Sequence, residues 1–223
     1  MKQVSIVDIV DNKQGLCSGN LCYYFRVLVL DSTSLANPYH NLRHGLHVTW
    51  ESYDGGIFHL LNPEELRCLL IASLFHDANH SGKIHGKDHE EIETALLTLR
   101  TNLLPEDKPR YGKIESILRA TEFPYIVPEN ELSVAGRIIR DADLSQNFSP
   151  VWIQQSWIGL AQEMGMDPMK FLRMQPNFLR SVKFFSGWGV NKFEPLKEPH
   201  IQEIITFIER LDGDEPTSLK MAS

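Results

Sequence analysis

The stretch from Asn62 to Asp77 constrains the fold more than any other part of this chain. Asn62-Pro63-Glu64-Glu65 combines a capping side chain, a proline at the first helical position and two acids beside the positive end of a helix dipole. The run that follows, Leu66 to Phe75, is apolar on nearly every face. It predicts a helix at the centre of the molecule rather than one lying on its surface. Such a helix has to be wrapped by others, and this one ends in His76-Asp77-Ala78-Asn79-His80. A buried helix that delivers an imidazole, a carboxylate and, one turn on, a second imidazole is the first sign of a site.

The rest of the chain reads as helical. Asn20 to Ser32 places Leu21, Phe25, Leu28 and Val29 at helical spacing, although its β-branched residues would also suit a strand. Pro38 suits the first turn of a helix carrying His40, His44, Val48 and Trp50. After breaks at Gly82 and Gly86, Asp88 opens a helix through about Leu104. Further helices are predicted at 110–121, 129–144, 149–164, 168–173, 176–185 and 197–211. Val4-Ser5-Ile6-Val7 reads as a short strand or a loosely packed arm, and the tail from Asp212, with Pro216, reads as frayed. The expectation is an all-α chain, with an arm over 1–18, one helical domain over 19–211 and a tail over 212–223. Its 223 residues, 42% of them hydrophobic, suffice for one domain with a real core.

Composition narrows the function. No run of eighteen apolar residues predicts a membrane span, and the N-terminus lacks the basic-then-apolar pattern of a secretory signal. Cys17, Cys22 and Cys68 are an odd, unpatterned set, read as free thiols of a reducing cytoplasm. A formal charge of -7 argues against a nucleic-acid polymer as partner. It leaves room for a small phosphate ester, because bound divalent cations invert the local field.

His40 and His44 stand four apart, a spacing that puts both on one helix face. With His76-Asp77 ending a buried helix, and a later carboxylate at Asp143 within Asp141-Ala142-Asp143-Leu144-Ser145, they form a set able to hold metal. Each of these signals is weak alone. His47, His59 and His200 are read as ordinary packing or surface histidines.

At these residues the chain resembles the HD-domain metal phosphohydrolases and, within them, the catalytic domain of class I cyclic nucleotide phosphodiesterases. Pro38-Tyr39-His40-Asn41-Leu42-Arg43-His44 is similar to that family's P-Y-H-N-x-x-H signature, and His76-Asp77-Ala78-Asn79-His80-Ser81-Gly82 to its H-D-x-x-H-x-G signature. Ala142-Asp143-Leu144-Ser145 resembles its A-D-L-S segment, and Gln175-Pro176-Asn177-Phe178 its Q-x-x-F element. The resemblance implies a compact multi-helix bundle with a dinuclear metal site in a central cleft. His44, His76, Asp77 and Asp143 would ligate a tight first ion (zinc, iron or manganese), with magnesium or manganese as the second. His40 would be the general acid, and His80 would hold a water of the second metal. Glu90 would correspond to the family's second-metal glutamate. Gln175 and Phe178 would bind the base, with Tyr39 beside the substrate. The implied reaction is hydrolysis of a 3′,5′-cyclic nucleotide to its 5′-monophosphate by a metal-bridged hydroxide. An HD-type nucleotidase or pyrophosphohydrolase, and a non-catalytic nucleotide-binding module, are the alternatives. Two departures from the family pattern are His85, where asparagine is usual, and Gly45, where alanine is usual.

Overall fold

The computed structural model describes residues 4–83 and 88–213. His85 therefore lies outside the described residues. Ten α-helices make up the fold, with no strand among the described residues: α1 (Ile6–Val10), α2 (Cys22–Asp31), α3 (Leu42–Phe58), α4 (Pro63–Phe75), α5 (Asp88–Thr101), α6 (Tyr111–Leu118), α7 (Val134–Leu144), α8 (Leu160–Glu163), α9 (Pro168–Ser181) and α10 (Gly187–Gly213). No helix among them is long and apolar enough to cross a membrane.

The predicted central helix is α4. Asn62 accepts from the backbone N–H groups of Glu64 and Glu65, and the Glu65 side chain accepts from Asn62 N–H in return. Every residue from Leu66 to Phe75 is buried. The α3, α6 and α7 helices pack around it. Arg67 is its one charged residue between Leu66 and Phe75, and the surroundings answer it: its guanidinium grips Asp107 through two 2.7 Å bonds, and the Tyr24 hydroxyl donates to the same carboxylate at 2.6 Å. Glycine at position 55 of α3 admits close packing, since a Cβ there would sit 2.6 Å from the Ile138 side chain of α7.

Several boundaries differ from the sequence expectation, each for a local reason. The Asn41 side chain accepts from Arg43 N–H and His44 N–H, so α3 begins at Leu42 and His40 stands ahead of it rather than on it. Residues 6–10 form a helix, not a strand, because Ser5 and Asp8 complete a capping box and Ile9 and Val10 are buried. Burial of Tyr24, Val27 and Leu28 likewise settles α2 as helix. At 110–121, α6 stops at Leu118 and a 3₁₀ turn follows. The helix expected at 129–144 starts only at Val134, capped by Ser133, and that at 149–164 is a π-helix (Ile153–Gly159) running into α8.

The prolines are the largest departure. Pro176 does not divide α9, and Pro195 and Pro199 lie inside α10, which starts ten residues before the expected 197. An interior proline costs about 3 kcal/mol. Here that cost is offset by a shared apolar seam in which Phe171, Leu172 and Leu179 of α9 meet Ile201 and Ile204 of α10. Asp212, expected in a frayed tail, is still helical and pairs with Arg173 at 2.6 Å. The remainder of that tail, 214–223, lies outside the described residues.

Candidate metal centre

Three separate elements converge on one point. His44 comes from the first turn of α3, His76 and Asp77 from the end of α4, and Asp143 from the last turn of α7. His44 Nε2 lies 2.9 Å from Asp143 Oδ1 and 3.4 Å from Asp77 Oδ2; His76 Nε2 lies 3.1 Å from Asp77 Oδ2 and 3.6 Å from Asp143 Oδ1. Metal–ligand bonds of about 2.0–2.2 Å put neighbouring donor atoms about 3.0–3.6 Å apart in tetrahedral or octahedral sites. His44, His76 and Asp77 thus bring donor atoms within 4.8 Å of one another, and the Asp143 carboxylate stands beside both imidazoles.

The second nitrogens explain the orientation. His76 Nδ1 donates to the Ser73 carbonyl at 2.8 Å, and His44 Nδ1 donates to the Gln146 amide oxygen at 2.7 Å. In the neutral rings both Nε2 atoms then present a lone pair to the same point, the arrangement usual for histidine ligands. His76 Nε2 and Asp77 Oδ2 are buried without a hydrogen-bond partner. Buried polar atoms are rarely left so, and a divalent cation between them answers both. The donor set, two imidazoles and two carboxylates, therefore fits a transition-metal ion. The pocket is anionic: burial pulls the His76 imidazole down, but the Asp77 and Asp143 carboxylates outweigh it and hold it well above its usual value. Burial pushes Asp77 up, and the surrounding imidazoles, His76 foremost, outweigh that and hold it well below.

Beside this cluster stands a residue that sequence reasoning did not find. Glu163, at the end of α8, takes His40 Nδ1 at 2.5 Å with one oxygen. With the other it accepts the backbone N–H groups of Tyr39 and His40 at 2.7 and 2.9 Å. Burial lowers His40, but the Asp77 charge and the Glu163 bond leave it raised. The His80 ring stacks on His40 at 4.0 Å between centroids, and its Nδ1 accepts from Gly82 N–H. His80 Nε2 is then the protonated nitrogen, a donor rather than a ligand. One ligand atom each from His40, His80 and Glu163 also falls within a 4.8 Å group, but the hydrogen bonds just described account for it without a cation. Glycine at 159, in the π-helix, lets this segment approach: a Cβ there would lie 2.7 Å from the Pro38 carbonyl oxygen.

An open cleft faces the cluster, lined by His40, His76, Asp77, His80 and Asp143 together with Glu91, Ile92, Thr121, Glu122 and Phe123. Tyr39 is buried against His40 and His44, with ring centroids 4.7 and 4.6 Å away. Glu90 is exposed and does not line the cleft; Glu91, one position on, does, and its carboxylate is held by Ser81. Gln175 is buried on the α9 face shared with Phe171, Leu172 and Leu179, whereas Phe178 is at the surface; neither lines the cleft. His47 donates to Ser145 Oγ at 2.9 Å and is pushed down to about 4, chiefly by burial, as suits a neutral packing residue. Gly45 is not required by space, since a Cβ would meet Leu74 O at an ordinary 3.8 Å. The three cysteines are free.

No protein-family model matches the chain, and no curated protein matches it by sequence.

Proposed function

We propose that this protein is a metal-dependent phosphohydrolase whose substrate is a 3′,5′-cyclic nucleotide. The observation that carries the reading is the convergence of His44, His76, Asp77 and Asp143 beside a histidine that the cluster does not need, His40, with its own buried carboxylate. A module that only binds its ligand has no use for that pair. Divalent cations held by the four donors would supply an activated water and neutralise the phosphate oxygens.

The chain's own residues divide the remaining work. His40 Nδ1 is committed to Glu163, so the proton available for transfer is on Nε2. Its role is to protonate the departing 3′ oxygen, which as a bare alkoxide is a poor leaving group. Glu163 keeps the ring charged and aimed. The Nε2–H of His80 offers a second donor on the same side of the cleft. Tyr39, edge-on to His40, excludes water behind the ring.

The placement of Gln175 and Phe178 outside the cleft favours a second reading, a nucleotidase or pyrophosphohydrolase built on the same centre. Hydrolysis assays with cAMP, cGMP, a 2′,3′-cyclic nucleotide, AMP and a nucleoside triphosphate, each with Mn²⁺ or Mg²⁺, separate the two. Release of a 5′-monophosphate from a 3′,5′-cyclic substrate, abolished by His40→Ala with metal content retained, supports the first. Cleavage of AMP or the triphosphate alone supports the second. No turnover of any of them rejects both.

A further inference from the structure

Phe123 is an apolar ring left in water at the mouth of a polar cleft. It is 55% exposed, while the two residues before it, Thr121 and Glu122, are 7% and 6% exposed. Among the described residues it is the one aromatic carbocycle that lines the cleft together with His40, His80 and Asp143.

Its surroundings hold it there. The Phe123 ring meets Tyr125 edge-on at 5.4 Å, and Tyr125 meets Phe185 in the same way at 5.8 Å. Under Tyr125 lies the guanidinium of Arg140, 3.9 Å from the ring centroid. Arg140 is itself buried and donates to the carbonyls of Ala120 and Val127, one on each side of the Phe123 segment. That residue sits one turn before Asp143 on α7. A single helix therefore presents a metal-donor carboxylate at one point and fixes an exposed aromatic face near it. An unoccupied apolar ring costs hydration free energy, and a firmly held one is a ready stacking platform for a flat ligand.

We propose that Phe123 is the base-stacking, specificity-determining residue of this site, so that the substrate is a phosphoester bearing a planar nucleobase. This rests on the phosphoester reading above, and it places the aromatic contact at Phe123 rather than at Phe178. Phe123 acts on binding and selectivity, not on bond breaking.

The test uses the full chain loaded with Mn²⁺, in wild-type, Phe123→Ala, Phe123→Tyr and Phe178→Ala forms. Two readouts are taken: calorimetric affinity for AMP, adenosine and inorganic phosphate, and kcat and KM on cAMP and on base-free ribose 3′,5′-cyclic phosphate. Loss of one stacking contact weakens binding by about ten- to a hundredfold. Phe123→Ala is expected to weaken AMP and adenosine by that factor and to lower the KM-based preference for cAMP over the base-free ester about tenfold or more. Phe123→Tyr is expected to restore both. Equal loss on base-bearing and base-free ligands, no loss at all, or a selective loss in Phe178→Ala instead would overturn the proposal, as would failure of the wild type to bind AMP and adenosine. If AMP binds through Phe123 but no phosphoester is hydrolysed, the hydrolase reading fails while the stacking role stands. If cAMP is hydrolysed with unchanged selectivity in Phe123→Ala, the reverse holds.

Discussion

Glu163 holds the His40 imidazole at 2.5 Å and caps the backbone on which that ring stands, although 123 positions separate the two residues. In the proposed function this makes the carboxylate a positioning residue for the proton donor. Replacing it with glutamine keeps the shape and removes the charge that helps raise His40 above its ordinary value. An acid must be protonated to act, so activity is lost as pH rises through the His40 pKa. Without the anion, one of the groups that offset burial is gone and that pKa falls. Glu163→Gln is therefore expected to shift the alkaline limb of the kcat profile to lower pH and to cut kcat by about tenfold to a thousandfold at neutral pH. Bound metal, measured by elemental analysis, should stay at the wild-type level. An unshifted limb would remove Glu163 from the catalytic account.

The four donors predict a separable behaviour. Chelation of a stabilising ion should lower Tm, and re-addition of Mn²⁺ or Zn²⁺ should restore it. A ligand at a hundred times its Kd stabilises by about 2.7 kcal/mol, enough to be seen by thermal scanning. Asp77→Ala should abolish this response, and His40→Ala should keep it. A chelation response that survives Asp77→Ala would place the ion elsewhere.

Stability should depend on Asp107, which does not line the cleft. Its side chain is fully buried and takes bonds from Arg67 and Tyr24. Asp107→Ala strands a buried guanidinium and is expected to cost about 3–5 kcal/mol in urea unfolding at neutral pH. Burial pushes the Asp107 carboxyl up, but the Arg67 bonds hold it below its usual value. The folded state thus binds its proton less readily than the unfolded state. That stabilisation is present above the unfolded carboxyl pKa and fades as pH falls through the lower, folded one. Wild type and Asp107→Ala should therefore begin to converge in stability as pH falls below about 4, where the unfolded carboxyl takes up its proton, and go on converging through the lower, folded pKa.

Gly159→Ala tests the seat of the His40 segment. Its new Cβ would meet the Pro38 carbonyl oxygen at 2.7 Å, a backbone atom that cannot swing aside. We expect a destabilisation of about 1–3 kcal/mol. A fall in kcat should accompany it, with the chelation response unchanged. The Gly45→Ala control, where the Cβ contact is an ordinary 3.8 Å, should be nearly silent in stability.

The legible parts of this chain were those written locally. The caps of α4, its all-round apolarity and the spacing of His76, Asp77 and His80 lie within twenty residues, so both the helix and its cargo can be read directly. Asp143 was readable because it lies in the last turn of an amphipathic helix, in a short, distinctive string. Glu163 was not, since Gln162-Glu163-Met164 looks like any helix end and its partner is remote. Phe123 was hidden for the same reason: its exposure follows from Arg140 and Tyr125, contacts that no window of sequence reveals. The prolines of α9 and α10 misled in the other direction, because a tertiary seam outweighed a strong local rule. His40 was placed on a helix by its spacing to His44, yet it reaches the cleft from the turn before, where Asn41 resets the backbone.

The donor atoms come from positions 44, 76, 77 and 143, and the two most distant, on His44 and Asp143, end 2.9 Å apart. Closing a loop of that length is entropically costly, and the chain recovers the cost only when α3, α4 and α7 have packed. In the proposed reading the centre is completed late in folding: a chain synthesised only as far as α6 would own three of its donors and lack the fourth. Metal uptake should report completion of the tertiary structure rather than initiate it.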